Sequence, residues 1–102
     1  MRVIKRKVLC DYWKLHRGAK DPLIRWFECA EAAKWDSIHD VRATFPSADS
    51  VRVGSGRTVT VFNISGNKYR LITAIHYNKQ RVYTLLVCTH NEYNNGHWRN
   101  RL

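Results

Sequence analysis

The sequence predicts an α+β domain with two layers, in which helices from the N-terminal half cover a small antiparallel sheet from the C-terminal half. Apolar residues recur at helical spacing before Phe45, and the period changes to two from Thr58 onward. The segments after Thr58 are also rich in Val, Ile, Thr, Tyr and Leu. With 102 residues, 44% of them hydrophobic, the chain has room for one domain, residues 1–102, with one modest core.

Two helices are predicted at the start of the chain. Apolar residues at helical spacing place the first over about Lys5–His16, and Gly18 can end it. Asp21 and Pro22 then predict an N-cap followed by proline at the first helical position, and the second helix runs to about Lys34. We expect the two helices to form a hairpin against the sheet.

A short third helix is predicted between Ser37 and Phe45. Ser37 and Asp40 resemble a weakened capping box, and Pro46 disfavours helical backbone at the residue before it. Residues 47–57 are polar and contain glycine, so we expect a loop there. Its Gly-Ser-Gly-Arg end superficially resembles a phosphate loop but lacks the Gly-Lys-Ser/Thr ending and the following helix, which makes a nucleotide site improbable.

The second half of the chain predicts an antiparallel meander. Its strands span Thr58–Ile64, Lys68–Tyr77 and Arg81–Thr89, separated by turn residues at 65–67 and 78–80. A short strand around Arg2–Ile4 could pair with this sheet, and a short helix is expected after Thr89.

The charge of the chain favours an anionic partner. Eighteen Lys and Arg stand against eight Asp and Glu, a formal net charge of +10 that is spread from Arg2 to Arg101. A field of this sign favours nucleic acid, an anionic membrane or an acidic protein, and a merely soluble basic protein is the alternative. Met1–Leu9 is basic and lacks a long apolar run, so we predict neither a signal peptide nor a membrane span and expect the cytoplasm.

The three cysteines predict neither a disulfide framework nor a metal site. Cys10, Cys29 and Cys88 are odd in number and widely spaced, and no Cys-x-x-Cys pair exists to hold zinc. Cys88, His90 and His97 share one short segment and lack a fourth ligand. Reduced thiols in a cytosolic protein are the simpler interpretation, and no metal or other cofactor is expected.

Strand periodicity locates a candidate working face. Arg70 alternates with a more apolar set that begins at Tyr69 and should face the helices, so Arg70 is expected on an open face of the sheet. A two-residue turn at Gly66-Asn67 would place Asn63 opposite Arg70, whereas a three-residue loop would place Phe62 there. We favour the first register because it groups polar residues and keeps Phe62 in the core.

Arg70, His90 and Tyr93 lie on strand ends or directly after them, where a scaffold usually presents chemistry. Together they can hold a phosphate, move a proton and stack on a base. Each has a structural alternative: a solvated charge, a helix cap, and an aromatic contact between helix and sheet. Lys68 is expected on the same face, and Arg42 could join if the third helix borders the sheet.

The arrangement of these residues resembles the HigB family of bacterial toxins, which are relatives of RelE in type II toxin–antitoxin systems. The resemblance is carried by Gly66-Asn67-Lys68-Tyr69-Arg70-Leu71 and by Thr89-His90-x-x-Tyr93, and is extended by Trp35, residues 40–48 and residues 61–64. In one departure, the family often has aspartate after the tyrosine, where this chain has Asn94.

The resemblance implies a RelE-like fold and a metal-independent endoribonuclease, an mRNA interferase that cleaves messages on the ribosome and inhibits translation. It implies catalytic roles for Arg70, His90 and Tyr93. The RNA-binding residues would be Asn63, Lys68, Arg42 and Arg57. It further implies a HigA-like antitoxin with a helix-turn-helix. A non-catalytic basic RNA-binding module is the alternative, and docking of an acidic protein is a third possibility.

Overall fold

The computed structural model describes all residues from Met1 to Leu102 as four helices and a five-stranded sheet. The elements follow in the order β1 (Arg2–Ile4), α1 (Arg6–Leu15), α2 (Lys20–Ala32), α3 (Ile38–Thr44), β2 (Asp49–Arg52), β3 (Thr58–Ile64), β4 (Tyr69–His76), β5 (Arg81–Thr89) and α4 (His90–Asn95). The strand order is β1-β5-β4-β3-β2. None of the helices is long and apolar enough to cross a membrane.

The sheet is mixed, because β1 pairs in parallel with β5 while the other neighbours pair antiparallel. The predicted spans of β3 and β5 match the observed ones, and β4 is one residue shorter than predicted at each end. The α+β class and the two-layer arrangement are confirmed.

The start of α2 differs from the prediction. A 3₁₀ turn at Arg17–Ala19 leads directly into the helix, whose N-cap is Ala19 with helical backbone angles and no side-chain cap. Asp21 therefore lies in the first turn and not at the cap. Pro22 is tolerated there because the N–H groups of the first turn have no intrahelical acceptor.

The segment expected to be a loop contains strand β2. Asp49–Arg52 pairs with the outer edge of β3, from Asp49 opposite Val61 to Arg52 opposite Thr58. Three of its four residues are exposed, so the polar sequence hid a strand whose stability comes from backbone pairing at a sheet edge.

One face of the sheet carries the larger core. Fourteen buried residues from α1, α2, α3 and the strands form one cluster, which we call the helix-face core. Phe62 lies at its centre, where its ring contacts the rings of Trp26, Trp35 and Phe45 at centroid distances of 5.3–6.2 Å. This face holds the helices on the sheet.

The opposite face carries a smaller core of six buried residues, which we call the second core. It includes Ile72, Cys88 and Trp98. Trp98 belongs to a 3₁₀ turn, His97–Arg101, that follows α4 and folds over the sheet. The backbone N–H of Gly54 donates to the carbonyl of Arg99 at 2.9 Å and holds this turn in place. The face predicted to be open is therefore partly covered.

A β-bulge decides which side of β5 meets Arg70. Ile72 pairs with Leu86 and Thr73 with Thr84, which leaves Leu85 without a partner in β4. The extra residue reverses the alternation, so that Val87 joins the helix-face core and Cys88 joins the second core. Consequently the end of β5 presents the residues around His90 on the side of the sheet that carries Arg70.

Candidate functional site

Arg70 lies between two strands at one end of the sheet, with Asn63 opposite it on β3 and Cys88 opposite it on β5. The backbone N–H of Lys68 donates to the carbonyl of Ser65 and closes the turn at Gly66-Asn67. The favoured register is therefore confirmed. Phe62 pairs with Leu71 and lies in the helix-face core.

The guanidinium of Arg70 is held by three hydrogen bonds. Nη1 donates to the carbonyl of Tyr69, and Nη2 donates to Oδ1 of Asn67 and to Nδ1 of His90, each at 3.1 Å. Arg70 is only 8% exposed. The expectation that it emerges on an open face is wrong, because α4 and the turn after it cover this end of the sheet.

The contact with Arg70 determines the tautomer of His90. Arginine has only donors, so Nδ1 of His90 must accept with its lone pair, and the proton of the neutral ring is carried by Nε2. The side-chain amide of Asn94 lies 3.0 Å from Nε2. The amide oxygen is the atom that matches a donor there. Arg70 and Asn94 thus fix both edges of the ring.

The helix that carries His90 is fixed by a capping box. Oγ1 of Thr89 accepts from the N–H of Glu92, and Oε1 of Glu92 accepts from the N–H of Thr89. The hydrogen bond from the Thr89 backbone is the main reason why the pKa of Glu92 lies below its usual value. The N–H of His90 also donates to the carbonyl of Lys68, which joins α4 to the β3–β4 turn.

Tyr93 lies against the same guanidinium. Its ring centroid is 5.5 Å from Cζ of Arg70, and the ring stacks on Trp98 at 5.2 Å with an interplanar angle of 18°. The indole N–H of Trp98 donates to the carbonyl of Tyr93 at 3.0 Å. Burial raises the pKa of the Tyr93 phenol, so this residue stays protonated at neutral pH. Because Trp98 already stacks on the ring, stacking of an RNA base on Tyr93 is disfavoured.

The other predicted site residues lie at different distances from this cluster. Asn63 is partly buried opposite Arg70, and Lys68 is exposed in the adjacent turn. Nε of Arg42 donates to the carbonyl of Ala48 and Nη2 contacts Oδ1 of Asp49 at 3.4 Å, so this side chain joins α3 to β2. Arg57 is exposed in the β2–β3 loop. The structure brings neither Arg42 nor Arg57 into contact with Arg70, His90 or Tyr93.

Sequence reasoning missed the roles of Asn67 and Trp98. Asn67 is the only side-chain carbonyl that accepts from Arg70, and its place in the turn suggested nothing beyond turn formation. Trp98 is 4% exposed although it lies five residues from the end of the chain's last strand-proximal helix, α4 starting at His90. A tryptophan so close to Leu102 was the available signal, since exposed terminal tryptophans are uncommon.

The titratable groups show no cluster suited to a metal ion. No group of three or more His, Cys, Asp or Glu side chains is placed to hold one. Cys88 is buried beside Arg70, and burial raises the pKa of its thiol to about 11. The thiol therefore stays protonated at neutral pH and behaves as a small apolar side chain.

Comparison with known proteins connects this site to a family. A family model described as "HigB_toxin, RelE-like toxic component of a toxin-antitoxin system" matches residues 19–96. The "mRNA interferase toxin HigB" of Escherichia coli (strain K12) is 27% identical over 93 residues, which cover 91% of this chain and 88% of that protein. Proteins named "mRNA interferase HigB" from Escherichia coli O157:H7 and Shigella flexneri match to the same extent. The family match includes the whole Arg70, His90 and Tyr93 cluster but neither α1 nor Trp98.

Proposed function

The chain belongs to the HigB family of RelE-like toxins, and on this premise we propose that it is an mRNA interferase, an endoribonuclease that cleaves messenger RNA and thereby inhibits translation. The observation that carries the proposal is the contact of a buried arginine with a histidine of defined tautomer and with a neutral tyrosine. The three side chains lie within the matched segment, and they supply the groups that RNA cleavage needs without a metal.

The chemistry we propose is attack of a ribose 2′-hydroxyl on its own 3′-phosphate, with departure of the 5′-oxygen. The reaction needs a base, a cation for the pentavalent phosphorane and an acid. Arg70 is the cation, because its planar guanidinium can bind two phosphoryl oxygens at once. Asn63, directly opposite, orients the phosphate, and Lys68 adds positive charge at the exposed turn.

Binding of the phosphate to Arg70 would also change His90. In the free protein the same Nη2 atom contacts both Asn67 and His90. When phosphoryl oxygens take over this donor, the lone pair of His90 Nδ1 is released next to the reacting phosphate. Nδ1 can then accept a proton, while His90 Nε2 and the phenol of Tyr93 are the proton donors of the cluster. Asn94 keeps the ring in the orientation that this exchange requires.

The expected contributions show why the ribosome belongs in the proposal. Proton transfer supplies about 10²–10⁴-fold in rate. One preorganised cationic donor supplies about 10²–10³-fold. Enzymes typically need larger factors, and holding the message in a reactive geometry can supply them. We therefore propose that the translating ribosome presents the message to Arg70 in the cytoplasm.

Membership of the family also gives the chain an antitoxin partner. We propose a HigA-like protein with a helix-turn-helix that is acidic where it contacts this chain. The net charge of +10 supports this, since opposite charge raises the association rate and sets the register of a complex. Co-expression with such a partner should restore growth.

Cleavage products provide the direct test of this function. Free RNA incubated with the protein in excess EDTA should yield 2′,3′-cyclic phosphate and 5′-hydroxyl ends, and a translating extract should give faster cleavage with the same ends. His90→Ala should abolish cleavage in both. The matched control is His76→Ala, which removes an exposed histidine at the opposite end of β4 and should retain full activity.

Two outcomes would contradict the proposal. Ends carrying a 5′-phosphate would indicate a metal-activated water as the nucleophile. RNA binding without cleavage, equal in the parent and in His90→Ala, would make the protein a binding module with a structural histidine.

A further inference from the structure

A cavity of about 440 Å³ lies between the end of α1 and the start of α2, and its walls are Trp13, Lys14, Arg17 and Lys20. No acidic residue lines it. The chain has only two ion pairs, Lys7–Asp11 and Arg42–Asp49, so the three cations of this cavity are unpaired. They are exposed, whereas Trp13 packs on the helix-face core and is held in place.

The cavity lies at the same end of the sheet as Arg70. The 3₁₀ turn that carries Arg17 approaches β4 closely, since a Cβ on Gly18 would lie 3.5 Å from the hydroxyl of Tyr69. The carbonyl of Tyr69 in turn accepts from Arg70. His16, next to Arg17, lies edge-on to Tyr69 at 6.4 Å between ring centroids. A continuous surface of aromatic rings therefore connects the cavity with the catalytic cluster.

His16 is the middle of this surface. Its ring stacks on Tyr12 at 4.1 Å with an interplanar angle of 5°, and it remains partly exposed. Its charge is one of the causes that lower the pKa of Glu92, after the hydrogen bonds from Thr89, which places it beside the start of α4. Two rings stacked in parallel at the surface provide a platform of the kind on which nucleic-acid bases stack.

We propose that this cavity is a second RNA site, which binds the single-stranded message segment continuing from the phosphate held by Arg70. Trp13 offers an aromatic face for a base, and Lys14, Arg17 and Lys20 neutralise the phosphates beside it. The inference rests on the proposed function and extends it by a subsite. Three of the four lining residues precede the segment matched by the family model, so family membership does not assign this role.

The same cations would also suit an acidic protein segment, but two features favour RNA. The wall includes a fixed indole, and the path from the cavity leads over aromatic rings to a phosphate-holding arginine. An acidic peptide would need neither the stacked rings nor the continuity with Arg70. Acidic protein is therefore the competing outcome of the test.

Binding of non-cleavable RNA tests the site without requiring catalysis. Oligonucleotides with 2′-O-methyl ribose, about four and about twelve nucleotides long, should be titrated by fluorescence anisotropy over a range of salt concentrations. The variant Lys14→Gln/Arg17→Gln/Lys20→Gln should bind the short oligonucleotide like the parent and the long one about tenfold or more weakly. Its salt slope for the long one should fall by about 2, since each lost phosphate contact of a single strand contributes about 0.7.

A matched control separates the cavity from general charge. Arg2→Gln/Lys34→Gln/Lys79→Gln removes the same three charges from exposed residues around the chain's N-terminus and the β4–β5 turn, at the opposite end of the sheet. It should keep the long-oligonucleotide affinity within about threefold and lose less than one unit of salt slope. Trp13→Phe should bind more tightly than Trp13→Leu, because phenylalanine keeps an aromatic face.

Several results would overturn the subsite. Equal losses in the two triple variants would reduce the effect to net charge. Unchanged RNA binding with weakened antitoxin binding would assign the cavity to an acidic protein, and unchanged binding with lost ribosome association would assign it to ribosomal RNA. If the parent binds neither oligonucleotide, the proposed function itself fails. If it binds the short one without any gain from length, only the subsite fails.

Discussion

The two faces of the sheet use the same strands for different purposes. On one face, fourteen buried residues from three helices and the strands form the helix-face core, which includes the rings around Phe62. On the other face the second core has six residues, and its cover is a short helix and a 3₁₀ turn at the end of the chain. The buried guanidinium of Arg70 lies at the edge of this smaller core.

The difference shows how a small domain combines stability with a reactive site. The helix-face core contributes most of the apolar burial and can be rigid, because no site residue has to move there. The second core contacts the site directly, through Trp98 against Tyr93 and Cys88 opposite Arg70. Changes in the first core should therefore affect stability alone, whereas changes in the second should affect stability and activity together.

Arg70 should give the largest effect and tests whether the second face carries the chemistry. Arg70→Lys keeps the charge but loses bidentate binding, so cleavage should fall about 10²–10³-fold. Its buried hydrogen-bond acceptors would lose donors, and the free energy of unfolding should also fall, by about 1–3 kcal/mol. Urea denaturation and initial cleavage rates measure the two effects, with Arg81→Lys at the other end of β5 as control. Full activity of Arg70→Lys would show that the phosphate is bound elsewhere.

A pair of aromatic truncations tests the division between the faces. Phe62→Ala should lower the free energy of unfolding by about 3–5 kcal/mol while kcat per folded molecule stays at the parent value. Trp98→Ala should lower stability and also reduce kcat by up to about 100-fold, because Tyr93 loses its ring neighbour and the donor to its carbonyl. Trp98→Phe keeps the stacked ring and should recover most of kcat. Equal kcat values in Phe62→Ala and Trp98→Ala would remove the distinction.

The smallest effect concerns the capping box that holds α4. The pKa of Glu92 is lowered from 4.5 in the folded protein, so the ionised carboxylate stabilises the fold above that pH, and this stabilisation is lost as the pH falls through the lowered value. Glu92→Gln should therefore cost about 0.5 kcal/mol or less near neutral pH, since the group is exposed. The difference from the parent should vanish near pH 3, as measured by urea unfolding at both pH values. A difference that is constant with pH would mean that hydrogen bonding alone, without the charge, holds the cap.

The sequence by itself determined the strands and the positions of the main site residues. A period of two over β3, β4 and β5 is a local signal, and the turn at Gly66-Asn67 was sufficient to place Asn63 opposite Arg70. The order of Arg70, His90 and Tyr93 along strand ends also indicated that they converge. These features depend on residues that are neighbours in the chain or across one hairpin.

The tertiary structure alone decided how those residues are held. Arg70 is buried because the turn with Trp98 returns over the sheet, and the tautomer of His90 follows from a hydrogen bond between residues twenty positions apart. Strand β2 exists because β3 offers it a free edge, and the cavity beside Trp13 forms only when α1 and α2 meet. No local pattern encodes these contacts, since burial and hydrogen bonding between distant segments depend on packing that short-range periodicity does not report.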